Sequence, residues 1–229
     1  MIESFKSPDL FPAILASTVH DIKNSLGVLL ELIRQLALRQ QPGEAENFSQ
    51  LEFEANRINH SLMQLLVVYK IGSNKFGLDI DEYAALELIN EAKAQQDVMS
   101  KLKHVQVQVE CADDLFCYCD YPNISNALGT ILNNALRYTH SAIFISATKT
   151  SEGYVQFCIE DDGEGYPKHL LLADLDAHAN LDWVQGNAGL GLFFVTVIAS
   201  LHKNGDKAGF AKIDNLSRLG GARFCLFLP

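Results

Sequence analysis

The chain has 229 residues, and its 18 Lys and Arg against 28 Asp and Glu give a formal net charge of −10. This acidic balance disfavours sequence-independent binding of nucleic acid, which depends on clustered basic residues. Hydrophobic residues make up 48% of the chain, which suits a folded core. No apolar run approaches the roughly 20 residues of a membrane-spanning helix, and the first residues lack a signal-peptide pattern. We therefore expect a soluble, cytoplasmic protein without membrane insertion.

The first seventy or so residues carry two heptad-like apolar patterns, separated by a polar segment with Pro and Gly at residues 41–46. Steps of four and three residues mark one packed face of a helix, so the patterns predict a helical hairpin that ends near Gly72. One hairpin buries its apolar stripe poorly, and we expect a homodimer in which two hairpins form a four-helix bundle. The alternative is that the stripe packs on the second domain of the same chain. The apolar positions are Leu15, Val19, Ile22, Leu26, Leu29, Ile33 and Leu36, then Phe48, Leu51, Ala55, Ile58, Leu62, Leu65 and Tyr69.

From residue 73 onward, helical and strand patterns are mixed, which predicts an α+β fold with helices on one face of a sheet. The domains are therefore expected at 1–72 and 73–229. Helices are predicted over 83–99, 124–135 and 190–201, and strands over 105–109, 115–119, 143–145, 155–159, 209–213 and 222–228.

Five cysteines lie in this second part, none of them in a C-x-x-C pair or beside a His at zinc-ligand spacing. Cys117 and Cys119 alternate with aromatic residues, as free cysteines do in a strand. We expect neither a disulfide framework nor a structural metal.

The segment Leu132-Asn-Asn-Ala-Leu-Arg-Tyr-Thr139 is the first of three polar or Gly-rich clusters. Asn134 and Tyr138 are four residues apart and share one face of the predicted helix. An amide oxygen can bind Mg²⁺, Arg137 can meet a phosphate and Tyr138 can cover a base. By itself the segment also fits an ordinary solvated helix face.

The other two clusters contain closely spaced glycines. Asp161-Asp-Gly-Glu-Gly165 follows a predicted strand, where a carboxylate can accept a hydrogen bond from an exocyclic amine, although acidic Gly turns are common. Gly186-Asn-Ala-Gly-Leu-Gly-Leu192 leads into a helix, an arrangement that suits phosphate binding. It lacks the Lys-Ser/Thr of a P-loop and does not follow the first strand of a βαβ unit, so both of those nucleotide folds are disfavoured.

In this order, NNALRYT, DDGEGYP, GNAGLGL and the terminal GGARFCLFLP resemble the N, G1 and G2 boxes and last strand of a GHKL-type ATPase. This is the Bergerat-type α/β sandwich of bacterial two-component sensor histidine kinases. Upstream, Val19-His-Asp-Ile-Lys-Asn-Ser-Leu26 is similar to the H-box of the HisKA dimerisation and phosphotransfer hairpin. The resemblance covers nearly the whole chain and implies ATP and Mg²⁺ as cofactors.

The resemblance also implies roles for individual residues. Asn134 corresponds to the Mg²⁺ ligand, Arg137 lies near the phosphates and Tyr138 covers adenine. Asp161 accepts from the adenine amino group. The glycines that shape the two loops are Gly163 and Gly165 at the adenine turn, and Gly189 and Gly191 over the triphosphate.

His20 is the phosphoacceptor that the resemblance implies. It follows the seam residue Val19, so its ring lies off the buried stripe, and neutral imidazole is a nucleophile near pH 7. Asp21 can orient the imidazole or accept its proton. Asn24 lies one turn further and can position a water that hydrolyses the phospho-aspartate of a partner, the reverse activity of the family.

The motifs together predict a protein histidine kinase that phosphorylates His20 and passes the phosphoryl group to an Asp of a response-regulator receiver domain. Only about fourteen residues precede the heptad pattern, too few for a domain, so we expect a separate sensor protein. Ser25 replaces a Pro that is frequent in the family's H-box, Thr130 stands where these kinases carry another Asn, and the stretch 168–185 is short. The alternatives are therefore a dimeric histidine phosphotransfer or adaptor protein with a weakened ATP site, and a phosphatase that uses Asp21 and Asn24.

Overall fold

The computed structural model describes residues 77–172 and 189–229 continuously, and single positions between 21 and 28 and between 58 and 71. Those single positions are helical, Asp21 and Asn24 among them. His20 and most of the predicted hairpin lie outside the described residues. The hairpin, the four-helix bundle and the dimer therefore stay predictions.

Residues 77–172 and 189–229 contain nine strands and four helices. The strands are β1 Asp81–Ala84, β2 Gln106–Cys111, β3 Phe116–Cys119, β4 Ala142–Lys149, β5 Val155–Asp161, β6 Lys203–Asn204, β7 Lys207–Ala208, β8 Phe210–Asp214 and β9 Arg223–Leu228. The helices are α1 Ala85–Leu102, α2 Tyr121–Tyr138, α3 Lys168–Leu171 and α4 Gly189–Leu201. The mixed α/β character that the patterning predicts is confirmed. No helix in the described part of the chain is both long and apolar enough to cross a membrane.

The central sheet has five strands in the order β2-β4-β5-β9-β8. Strand β2 runs parallel to β4, and the other neighbours are antiparallel. Alternate residues of β5 and β9 form its apolar face, where Phe157 and Phe224 are each 1% exposed. Helix α1 packs on β2 and β4, and α2 packs on β5. The end of β5 therefore lies beside α2.

Helix α2 has a defined start. The side chain of Asp120 accepts a hydrogen bond from the backbone N–H of Asn123, which is an N-cap, and Pro122 lies in the first turn. The apolar residues of α2 recur every three or four positions and are buried, which fixes the rotation of the helix on the sheet. These residues are Ile124, Leu128, Ile131, Leu132 and Leu136.

The sequence prediction of a helix that begins at Tyr83 is wrong at its start, because Tyr83 lies in strand β1. Residues Asp81–Ala84 pair in antiparallel register with Phe116–Cys119, and α1 begins only at Ala85. Pairing with a strand more than thirty positions away decides the conformation here, and a local pattern does not contain that partner.

The expectation of no disulfide is wrong for one pair of cysteines. Cys158 on β5 and Cys225 on β9 are directly opposite in the antiparallel register and form a disulfide, with 4.2 Å between their Cα atoms. They are 67 positions apart, so only the register of the sheet brings them together. Cys111, Cys117 and Cys119 are free.

Candidate functional site

Asp161 ends β5 with its side chain on the apolar face of the sheet, and it is 5% exposed. Its Oδ1 atom accepts hydrogen bonds from the backbone N–H of Gly163 at 2.9 Å and of Ala222 at 3.0 Å. Among the described residues, Oδ2 has no such donor. Burial raises the pKa of this carboxyl, while the two N–H donors act in the opposite direction. The carboxylate is thus fixed by one oxygen, and its other oxygen can accept from a ligand.

Gly163 brings the turn after β5 against the end of α2. A Cβ atom on Gly163 would lie 2.4 Å from the backbone oxygen of Tyr138, closer than two such atoms approach. Only a glycine permits this approach. The structure therefore brings Asp161, Gly163 and the backbone of Tyr138 together.

Asp162, which follows Asp161 and has no role among the sequence predictions, joins two segments of the structure. Its carboxylate accepts hydrogen bonds from the backbone N–H groups of His140 at 2.8 Å, Ser141 at 3.0 Å and Ala142 at 3.1 Å. The hydroxyls of Thr139 and Ser141 also donate to it. Burial acts to raise the pKa of Asp162, but these donors outweigh it and hold the pKa well below the usual range. The side chain joins the turn after β5 to the segment that follows α2.

Replacing Asp162 by Asn is expected to lower the free energy of unfolding by about 2 kcal/mol at pH 7, because a charged acceptor of several hydrogen bonds is lost. For a domain of this size that is a fall in Tm of about 5 °C. The folded-state pKa lies below the unfolded value, so the stabilisation is complete above about pH 4 and is lost as the pH falls further.

Thermal unfolding of wild type and Asp162→Asn between pH 7 and pH 3 measures this effect. The gap in Tm should narrow below about pH 4. Asp206→Asn is the control, because Asp206 is an exposed residue between β6 and β7. A gap that stays constant across this pH range would show that the charge of Asp162 has no part in stability.

The predicted residues of α2 lie on its last two turns. Asn134 is half-buried, and Tyr138 is 54% exposed at the helix end. The guanidinium carbon of Arg137 lies 5.6 Å from the centre of the Tyr138 ring. The backbone of Tyr138 contacts the turn after Asp161 and its ring is exposed, so the ring is available to cover a flat ligand.

Thr130 lies one turn before Asn134, and it is buried. Its hydroxyl donates a hydrogen bond to the backbone oxygen of Asn126 at 2.8 Å. A hydroxyl bonded to its own helix thus stands at the position where the resemblance leads one to expect a second amide.

Gly189 and Gly191 lie in the first turn of α4. Residues 186–188 of the same motif, and His20 of the H-box, lie outside the described residues. The structure therefore gives no geometry for the predicted phosphate loop or for the phosphoacceptor.

The described residues suit a purine nucleotide with Mg²⁺. The second carboxylate oxygen of Asp161 can accept a hydrogen bond from an exocyclic amine, and the Tyr138 ring can stack on the purine. Among the described residues, no group of three or more His, Cys, Asp or Glu could hold a metal ion. Mg²⁺ fits this composition, because it is usually bound through few protein ligands together with phosphates and waters, and Asn134 offers one amide oxygen.

Residues 119–229 match the family of histidine kinase-, DNA gyrase B- and HSP90-like ATPases. The chain is also 26% identical over 221 residues to the sensor histidine kinase CpxA of Escherichia coli (strain K12), which covers 94% of this chain and 46% of CpxA. Residues 119–229 form an ATPase domain of this family, and the match to CpxA supports the ATPase core of a two-component histidine kinase.

Other relatives agree with this ATPase core. The sensor protein PhoQ of Escherichia coli (strain K12) is 24% identical over 216 residues, covering 94% of this chain and 42% of PhoQ. The chain therefore spans about half the length of the curated relatives that it matches. The family match implies ATP binding.

Solved structures show that the fold is shared. The histidine kinase AdeS of Acinetobacter baumannii superposes with a TM-score of 0.63 at 18% identity, covering 91% of this chain and 96% of that chain. The catalytic domain of the histidine kinase ThkA superposes with a TM-score of 0.55 at 20% identity, covering 66% of this chain and 96% of that chain.

Proposed function

We propose that this chain is a protein histidine kinase that uses Mg-ATP to phosphorylate His20 and then passes the phosphoryl group to an Asp of a response-regulator receiver domain. We further propose the domain boundaries 1–72 and 73–229, with a homodimer formed through the N-terminal hairpin. The observation that carries the proposal is the Asp161 carboxylate, which is buried and fixed by two backbone N–H groups. It precedes the turn whose Gly163 lies against the backbone oxygen of Tyr138.

Each residue of the site has a proposed task in nucleotide binding. The free oxygen of Asp161 accepts from the adenine amino group, and Tyr138 covers the base. Gly163 and Gly165 form the turn beneath it, while Gly189 and Gly191 support the loop over the phosphates. Arg137 lies where it can meet phosphate charge, and Asn134 is the ligand for Mg²⁺, which neutralises charge on the phosphates when bound.

His20 and Asp21 carry the proposed transfer. The neutral imidazole of His20 attacks the γ-phosphorus of ATP, the bond between that phosphorus and the bridging oxygen breaks, and ADP leaves. Asp21 accepts the imidazole proton. In the second step, the carboxylate of the receiver Asp attacks the phosphorus on His20 and the imidazole leaves. Catalysis comes from positioning and electrostatic stabilisation of the transferring group.

A second candidate is a histidine phosphotransfer or phosphatase protein with a weakened ATP site. Thr130 favours this candidate. Its hydroxyl donates to the backbone of its own helix, and a threonine offers no amide for metal or water at this position. Asn24, which is exposed on its helix, would position the hydrolytic water. Phosphotransfer to and from His20 without detectable ATP binding would favour this candidate. If the protein is a phosphatase, Asn24→Ala should stop dephosphorylation of the receiver domain and leave phosphorylation of His20 unchanged.

Incubation with γ-labelled Mg-ATP tests the kinase proposal. We expect a phosphoprotein whose label is lost in acid and retained in base, as for a phosphoramidate on His. Addition of a cognate receiver domain should move the label to that domain. A failure to incorporate label under every condition, with the receiver domain present as well, would contradict the proposal.

A further inference from the structure

The loop between β8 and β9, residues 215–222, holds the turn that carries Asp161. The backbone N–H of Ala222 donates to Asp161 Oδ1 at 3.0 Å, and the hydroxyl of Ser217 donates to the backbone oxygen of Asp161 at 2.7 Å. Arg223 makes two hydrogen bonds with the Asp214 carboxylate, at 2.9 and 2.7 Å, which anchor the start of the loop to β9. The loop is thus a fixed support for the turn.

Asn215, in this loop, contacts the far end of the turn. Its Oδ1 accepts a hydrogen bond from the backbone N–H of Tyr166 at 2.7 Å, and its Nδ2 donates to the backbone oxygen of Tyr166 at 3.0 Å. Both polar atoms of one amide therefore bind both polar backbone atoms of one residue. This pairing fixes the orientation of the amide and the position of Tyr166 together.

Gly165 shows how closely the Asn215 amide lies on the turn. A Cβ atom on Gly165 would lie 2.8 Å from Cγ, Nδ2 and Oδ1 of Asn215. Gly165 also has φ of +82°, a conformation that side chains disfavour. The turn is therefore held at Gly163 by the end of α2 and at Gly165 and Tyr166 by Asn215.

We propose that Asn215 is a positioning residue for adenine recognition, and this inference rests on the proposed adenine contact of Asp161. Asn215 is exposed and makes its described hydrogen bonds to the turn rather than within the core. By holding Gly165 and Tyr166, it keeps the turn in its binding shape before the nucleotide arrives. A turn without this clamp would have to be ordered during binding, which weakens affinity for the group that the turn recognises.

Equilibrium binding of ATP and ITP to the full chain tests this role. ITP carries a carbonyl in place of the adenine amino group, so the ratio of the two affinities reports recognition by the turn. We expect Asn215→Ala to weaken ATP binding about tenfold and ITP binding much less, with Tm close to wild type. Asn215→Asp keeps the acceptor for Tyr166 N–H but loses the donor, and it should also lower the ratio. Asn204→Ala, at an exposed position on β6, is the matched control.

The outcomes separate the two proposals. If wild type binds no ATP, the proposed function and this inference both fail. If wild type prefers ATP and both Asn215 variants keep that preference, only the role of Asn215 is overturned. An equal loss of ATP and ITP affinity with a lowered Tm would also overturn it, because a purely structural residue gives that result.

Discussion

Replacing Asp161 by Asn is expected to weaken ATP binding about a hundredfold, or about 2.8 kcal/mol, with little change in stability. The amide oxygen of Asn can take the place of Oδ1 and keep the bonds from Gly163 and Ala222. Its NH₂ group then occupies the position of Oδ2 and faces the adenine amino group, so two donors meet without an acceptor. A site whose buried polar groups are left unpaired discriminates strongly against the ligand.

Isothermal titration with ATP, together with thermal unfolding, measures this effect for wild type and Asp161→Asn. The control is Asp206→Asn, which removes an acidic side chain from an exposed turn of the same domain. An Asp161→Asn variant that binds ATP like wild type would show that the base is not recognised by this carboxylate.

Replacing Gly163 by Ala is expected to abolish measurable ATP binding and to lower the free energy of unfolding by about 2–3 kcal/mol. The new Cβ would lie 2.4 Å from the backbone oxygen of Tyr138 and 3.1 Å from Oδ1 of Asp161. A backbone atom in a packed helix end cannot move aside cheaply, so the turn itself must shift. That movement displaces the Asp161 carboxylate from its place beside the end of α2.

Gly77→Ala is the matched control for this substitution, since no atom lies within 4 Å of a Cβ built on Gly77. Thermal unfolding and ATP titration of both variants check the prediction. Wild-type values of Tm and affinity for Gly163→Ala would mean that the turn does not pack on α2 as the structure shows.

The parts of the fold that depend on local patterns are predictable from the sequence. The apolar spacing of Ile124, Leu128 and Ile131 predicts α2, and the alternation of Val155, Phe157 and Ile159 predicts β5. The proximity of Asp161 to Tyr138 follows from a resemblance in motif order rather than from either pattern. The structure then shows the contact through Gly163.

The parts that depend on distant partners are not predictable in this way. The conformation of Asp81–Ala84 is decided by its pairing with β3, and the disulfide of Cys158 and Cys225 by sheet register. Asp162 carries a weak local signal, as the second Asp of an acidic turn, but its partners 20 to 23 positions away show its role. Asn215 has no such signal, because Tyr166 is 49 positions away.

Mapping of the transferred phosphoryl group tests the central claim most directly. Wild type and His20→Gln are incubated with γ-labelled Mg-ATP, and ATP affinity is measured for both. We expect an acid-labile, base-stable label on wild type and no label on His20→Gln, although both bind ATP equally. His60→Gln, in the second predicted helix of the hairpin, should label like wild type. A label of the same stability that persists in His20→Gln would contradict the assignment of His20 as the phosphoacceptor.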